Sequence, residues 1–491
     1  PSEYGIGNVG AAADCFFDFL KKSGFTYWQI CPLGPTGYGD SPYQSFSAFA
    51  GNVYFVDFAK LAAAGLLDES DLAPLRKLPA DKCDYGGIYA LIPQLVRKAA
   101  KNFKANADSH SKADFDVFVN ENAGWLKSYA LFAALKKKFG GKPWYEWPKE
   151  YRTMKSARVQ GLSEEDMEEI FSVKFGQWVF FRQYEDFRRR AADAGIKIFG
   201  DLPIFVSLDS VEAWERPEIF DMKPDGTPAN VAGVPPDYFS ATGQLWGNPL
   251  YDFDKMKKDD YSWWRKRVSY CFKLYDGLRL DHFRAFYNYF AIPYGEETAV
   301  NGVWHAGPKN ELINLIKKDN KNAVIIAEDL GLLTPDVTEF IKKTGFPGMK
   351  IFQFAFDGTQ STHLPHYYDI NCVAYTGTHD NDTLLGWLYK ANEGARNFAL
   401  KYCNFQGFGW GAGGPECGST KAIIKTVIAS SASLAVIPIQ DLLGYGSDTR
   451  MNVPGVAEGN WEFRIANEAL YGLDRAYFAD INNTYGRSCG M

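Results

Sequence analysis

At 491 residues the chain exceeds one simple domain, although a barrel enlarged by insertions reaches this size as a single catalytic body. A formal charge of -6 without a basic cluster argues against a nucleic-acid surface, so the expected partner is uncharged. The 16% aromatic residues can stack on sugar rings, although a large core accounts for most of them.

The eight cysteines form no CxxC pair, which points to reduced thiols and to neither a zinc nor a thioredoxin-type site. No cofactor or metal is implied. No apolar run is long enough to cross a bilayer and nothing resembles a signal peptide, so the expected location is cytoplasmic. A transit peptide removed before residue 1 would make it the plastid stroma instead. The expected assembly is a monomer or homodimer.

In chain order, a turn-rich lead runs into a predicted helix, Ala11–Lys22, with Phe16, Phe19 and Leu20 on its buried side. Tyr27–Cys31 reads as a strand. The loop after it, Pro32–Ser45, mixes turn residues with Asp40, Ser41, Tyr43 and Gln44; a polyol-binding loop and an ordinary surface loop both fit. Residues 52–172 are charged and mostly helical in pattern, too long for a barrel loop, and are expected to form an inserted helical subdomain. A helix at 173–194 returns the chain to a strand, Ile196–Phe199, that runs into Gly200 and Asp201.

Residues 221–249 are rich in Gly and Pro and are expected to form a stiff active-site loop. Presenting Tyr238, Gln244 and Trp246, it suits a lid or sugar platform, with a structural corner as the alternative. Three further apolar segments then end in acid. Leu278 and Leu280 alternate with Arg279 and Asp281; Ala323–Ala327 runs into Glu328 and Asp329; Cys372–Thr378 runs into His379, Asp380 and Asp382. Lys350–Phe354 reads as a short strand, 390–430 as a helix-rich insertion, and Leu434–Ile439 as the last barrel strand.

Strand and helix alternation with polar strand ends predicts an α/β fold, a (β/α)8 TIM barrel with its site at the C-terminal face, forming one catalytic unit over 1–491. Carboxylates delivered by separate strands to one rim, without HExxH, GxxxxGK[ST] or GxSxG, fit glycoside chemistry best. One carboxylate acts on the anomeric carbon while another hands a proton to the departing oxygen.

Gly277-Leu-Arg-Leu-Asp-His-Phe283, Ile326-Ala-Glu-Asp-Leu-Gly331 and Thr378-His-Asp-Asn381 resemble the three acid motifs of the α-amylase clan. Gly39-Asp-Ser-Pro-Tyr-Gln-Ser45, Gly200-Asp-Leu-Pro-Ile204, Gly233-Val-Pro-Pro-Asp-Tyr238, Gln244-Leu-Trp-Gly-Asn-Pro249 and Arg450-Met-Asn-Val-Pro-Gly455 resemble one of its families, the 4-α-glucanotransferases known as amylomaltases or disproportionating enzymes. The resemblance implies retaining transfer of a glucan segment from a maltooligosaccharide or starch donor to the 4-hydroxyl of another α-1,4-glucan or glucose. A hydrolytic amylase is the alternative.

It further implies Asp281 as nucleophile, Glu328 as acid/base and Asp380 as transition-state stabiliser, with Arg279 holding Asp281 ionised. His282 and His379 would donate to sugar hydroxyls, Asp201 would support the site or bind substrate at a subsite, Tyr43, Gln244, Trp246 and Asn452 would line neighbouring subsites, and Tyr238 would overhang the groove. Members usually carry a leading strand before the Tyr-Gly-Ile-Gly motif, here Tyr4–Gly7, so seven of the eight barrel strands are expected within this numbering. Ala285 replaces a frequent glycine, with little effect expected.

Overall fold

The computed structural model describes residues 2–157, 160–236, 240–331, 333–456 and 458–488. Among these the strands are β1 (Tyr27–Gln29), β2 (Lys197–Leu202), β3 (Asn230–Val234), β4 (Gln244–Pro249), β5 (Gly277–Leu280), β6 (Asn288–Pro293), β7 (Val303–Ala306), β8 (Val324–Ala327), β9 (Gly348–Ile351), β10 (Cys372–Tyr375) and β11 (Leu434–Val436).

Seven are parallel, in two runs ordered β1-β2-β5-β8 and β9-β10-β11. The Ala327 amide donates to the Pro347 carbonyl at 2.9 Å, joining the end of β8 to the start of β9. The combined wall is strongly curved. In a flat sheet β1 and β10 would lie five strand spacings apart, about 24 Å, yet the Tyr375 hydroxyl donates to Gln29 Oε1 at 3.0 Å. Phe199, Ile326, Met349, Ile351, Val373 and Tyr375 fill the space the wall encloses. β1 and β11 do not pair with each other among the described residues, and a cavity of about 570 Å³ lies between them, lined by Tyr27, Gln29, Leu434 and Val436 and by Phe16 of the helix Ala12–Lys22.

Close strand contact explains two glycines. A Cβ at Gly277 would come within 2.3 Å of the Phe199 ring, and one at Gly200 equally close to Tyr275. Only the absence of a side chain lets these rings seat against the sheet.

Between β1 and β2 lie the helices Tyr85–Asn106, Ser109–Glu121 and Ala123–Lys138 with several shorter ones. The return helix begins nine residues before the predicted start, spanning Glu164–Asp193. The reason is a capping box, in which the Ser163 hydroxyl accepts from the Asp166 amide while the Asp166 carboxylate accepts from the Ser163 amide. This helix also pins the insertion's first segment. Gln177 bonds both the amide and the carbonyl of Gly51, and Gln183 does the same at Asp57.

The predicted loop at 221–249 is corrected. β3 and β4 lie within it and pair antiparallel, and with β6 and β7 they make a four-stranded sheet ordered β4-β3-β6-β7. Its Gly and Pro residues mark tight approach and strand ends rather than a loop throughout. A Cβ on Gly233 would come within 2.2 Å of the Gln244 carbonyl oxygen, and Pro235 follows the last residue of β3. Two further strand readings are shortened: β9 ends at Ile351, where Phe352–Phe354 turns into a 3₁₀ helix, and β11 ends at Val436, before Pro438.

Candidate active site

Register delivers the first cluster. Asp201 pairs with Arg279 across β2 and β5, and Leu280 with Ala327 across β5 and β8. Asp281 and Glu328 therefore stand one step past the paired ends of neighbouring strands, whose backbones run about 4.8 Å apart. Arg279 is buried to 3% exposure. Its Nη1 lies 2.5 Å from Asp201 Oδ2 and 3.1 Å from Asp281 Oδ1, so one guanidinium serves two carboxylates.

Immediately after Asp281 the chain turns sharply, with His282 at a φ of 46°. A non-glycine residue in the left-handed region holds a strained turn that its surroundings must stabilise. Here the turn aims the His282 amide at Glu328 Oε2, 2.5 Å away, while the Phe283 amide donates to the Glu328 carbonyl at 3.1 Å. The acid on β8 is thus tied to the residue next to the acid on β5.

The second cluster follows β10. The buried Asp441 carboxylate accepts from Thr376 Oγ1 at 2.6 Å and from the Leu384 amide at 2.7 Å, clamping both ends of the segment that carries His379 and Asp380. Asn452 Nδ2 donates to Asp380 Oδ1 at 2.6 Å, Arg450 Nη2 donates to the Asp380 carbonyl at 2.6 Å, and His379 Nε2 lies 3.4 Å from Asp380 Oδ2. Tyr43 connects the clusters. Its hydroxyl donates to Asp201 Oδ2 at 2.8 Å and lies 3.3 Å from His379 Nδ1, and its ring stacks on His379 at 4.8 Å.

From the antiparallel sheet Trp246 meets the His282 ring edge-on at 4.9 Å, and its indole N–H donates to Gln244 Oε1 at 3.1 Å. Eleven of the twelve expected site residues therefore belong to one connected constellation; Tyr238 lies outside the described residues. Sequence reasoning passed over Trp461, whose ring lies 5.7 Å from Tyr43 and 5.6 Å from His379, and over Asp441 as a clamp. Asp441 carried a signal, a carboxylate at the end of an apolar strand, whereas Trp461 stood among ordinary loop residues.

The carboxyls are not equivalent. Withdrawal from water pushes both Asp281 and Glu328 up, and the Arg279 charge opposes this at each. Repulsion by Asp281 adds to the rise at Glu328, which reaches about 8 while Asp281 reaches about 6, so Glu328 is the carboxyl raised further. Asp380 goes the other way. Burial alone would raise it, but the adjacent His379 and the Asn452 amide hold it well below the usual carboxylate range. Burial lowers His282 to about 4, leaving a neutral ring whose Nε2 has no hydrogen-bond partner among the described residues. Asp201 Oδ1 likewise has no partner among the described residues.

Such a site sets two carboxyls at neighbouring strand ends, Glu328 the more readily protonated, together with a third that Asn452 and His379 hold ionised. That is the equipment for attack on an acetal carbon with protonation of the leaving oxygen.

Comparison with known proteins agrees with the geometry. The family described as 4-alpha-glucanotransferase matches residues 1–469. A 4-alpha-glucanotransferase of Clostridium butyricum is 42% identical over 97% of this chain and 98% of its own length, and one of Thermus thermophilus is 43% identical over 95% and 92%. Among solved structures, an amylomaltase from Streptococcus agalactiae in complex with acarbose superposes with a TM-score of 0.93 at 37% identity, over 100% of this chain and 97% of that one. With matches of this extent converging on one activity, the chain belongs to the 4-alpha-glucanotransferase family.

Proposed function

We propose that the chain performs its glucan transfer by a retaining double displacement, with the residues of the strand-end constellation in distinct roles. Glu328 hands its proton to the glycosidic oxygen as Asp281 attacks C1; the C1–O bond breaks, the reducing-end fragment leaves with a free 4-hydroxyl, and a β-glucosyl ester remains on Asp281. In the second half an acceptor 4-hydroxyl gives its proton to the Glu328 carboxylate while its oxygen attacks C1 and frees Asp281. Arg279 keeps Asp281 ionised, and Asp380, held by Asn452, binds ring hydroxyls more tightly as the sugar flattens. His282 and His379 donate to the same sugar; Tyr43, Gln244, Trp246 and Asn452 line the flanking subsites, and Asp201 positions Arg279 and Tyr43.

One observation carries this reading: two carboxyls one step past the paired ends of adjacent strands, Asp281 held by the Arg279 guanidinium and Glu328 by the His282 amide. We further read the seven-strand wall as a (β/α)8 barrel with the β11–β1 gap as its eighth position, 52–172 as an inserted subdomain and 390–430 as a second insertion. The seven described cysteines are unpaired, as suits a reducing compartment, cytoplasm or plastid stroma. No helix among the described residues is long and apolar enough to cross a membrane.

The test is incubation with maltotriose. Transfer yields glucose together with maltopentaose and longer oligomers of unchanged total linkage number, and the new linkages are α. Only shorter sugars would mean hydrolysis; β-linked products would rule out the double displacement.

A further inference from the structure

The described surface carries one aromatic cluster that the reaction does not use. Tyr389, at the end of the helix Leu384–Lys390, is 60% exposed, and its ring lies 4.9 Å from that of Trp410 at a 56° tilt. Phe408, two residues before Trp410, is as exposed as a residue in an extended chain, at 108%. Burying a phenylalanine is worth roughly 2 kcal/mol or more, so a ring held wholly in water has not been placed by folding.

The loop that holds these rings is pinned. The Tyr389 hydroxyl donates to the Gly411 carbonyl at 2.8 Å, Ser419 Oγ donates to the Trp410 carbonyl at 2.6 Å, and the Gly414 amide donates to Gly444 at 2.9 Å. A Cβ at Gly411 would lie 2.4 Å from the Tyr389 hydroxyl, and Gly409 and Gly414 have φ of 86° and 95°. The glycines thus shape a fixed backbone here. One face of Trp410 is already covered by the Arg396 guanidinium at 4.8 Å, which orients the indole.

The cluster is also joined directly to segments that carry the site. Tyr389 is on the helix capped by Thr383, three residues after Asp380, and a helix of seven residues spans only about 10 Å. Gly444, to which the loop is bonded, leads into the segment from which Arg450 and Asn452 hold Asp380.

We infer that Tyr389, Phe408 and Trp410 form a second carbohydrate site, a platform on which the remote part of a long α-1,4-glucan stacks while its reacting end occupies the catalytic groove. This rests on the reading above that α-glucan is the substrate. The apolar faces of glucose units stack on aromatic rings, and such a ligand is neutral, as this patch is: Arg396 is already engaged with Trp410, and Lys390 pairs with Asp382. Three rings present too little area for a stable protein partner, which needs about 800 Å² on each side. They match two or three sugar units.

The experiment compares the wild-type chain with Phe408→Ala and Trp410→Ala in native gels containing amylopectin and in kinetics on amylose and maltotriose. The platform predicts a loss of retardation in the gel and a KM for amylose raised about five- to tenfold, with kcat and KM for maltotriose within twofold of wild type. Phe408 is fully exposed, so its variant is expected to fold as the wild type does. Unchanged retardation and unchanged amylose KM in both variants would overturn the proposal, as would a wild-type dimer that Phe408→Ala converts to monomer, which would make the patch a self-association surface. Loss of maltotriose transfer in Phe408→Ala would overturn it too, by assigning the ring to the groove; absence of maltotriose transfer in the wild type would instead refute the underlying reading.

Discussion

Glu328→Gln is the substitution that most directly separates the proposed roles. A glutamine is nearly isosteric, and its carbonyl oxygen can keep the 2.5 Å contact that Glu328 Oε2 makes with the His282 amide, so the strand-end geometry should survive. What is removed is the proton that burial and Asp281 hold on this carboxyl. A positioned general acid contributes about 10²- to 10⁴-fold, which corresponds to roughly 3–5 kcal/mol of barrier. Transfer from maltotriose should fall by that factor while calorimetric binding of a maltooligosaccharide stays within a few-fold of wild type. An α-maltosyl fluoride donor sharpens the test, because fluoride departs without protonation. Its rate of enzyme glucosylation should drop less than tenfold in Glu328→Gln and by several orders of magnitude in Asp281→Asn, and the covalent adduct should be found by mass spectrometry on the peptide containing Asp281. Equal losses on both donors in Glu328→Gln, or an adduct elsewhere, would refute the assignment.

The pH profile of kcat/KM should be bell-shaped, falling below about pH 6 as Asp281 takes up a proton and above about pH 8 as Glu328 loses one, the two apparent values belonging to the pair. Asp201→Asn removes a negative charge that pushes Asp281 upward, so the acid limb should move to lower pH; the lost bond to the buried Arg279 should cost about 2 kcal/mol in urea unfolding, and an upward shift would count against the argument. Glu212, which plays no part in the proposed reaction, is buried with Oε2 unpartnered among the described residues and is raised by burial to about 7. Between about pH 4.5 and 7 the folded chain keeps a proton that the unfolded chain has released, so stability decreases as pH rises through that window. Glu212→Gln should flatten the slope by about 1.4 kcal/mol per pH unit, and an unaltered slope in denaturation at pH 5 and pH 7 would exclude this origin.

Much of this protein can be read along its chain. Four of the parallel strands, β2, β5, β8 and β10, announced themselves because each is a short apolar run leading into glycine or acid, and strand-end carboxylates such as Asp281, Glu328 and Asp380 have few reasons to recur in that pattern except a shared rim. The antiparallel sheet did not announce itself. Gly233 and Pro249 carry the same local preferences in a loop as at a strand crossing or strand end, and only the partner strand β6, some fifty residues on, distinguishes the two. The helix start at Ser163 was hidden for a related reason, since a capping box inside a charged stretch looks like surface.

Residue identity alone therefore determined which groups could do chemistry and on which strand each would arrive, because periodicity and turn preference act over a few neighbours. Their relation was decided by tertiary structure. That the Arg279 guanidinium spans two carboxylates, that His282 turns its amide onto Glu328, and that Glu328 is raised further than its neighbour Asp281 are consequences of register and burial, and these exist only once strands distant in sequence lie side by side out of water.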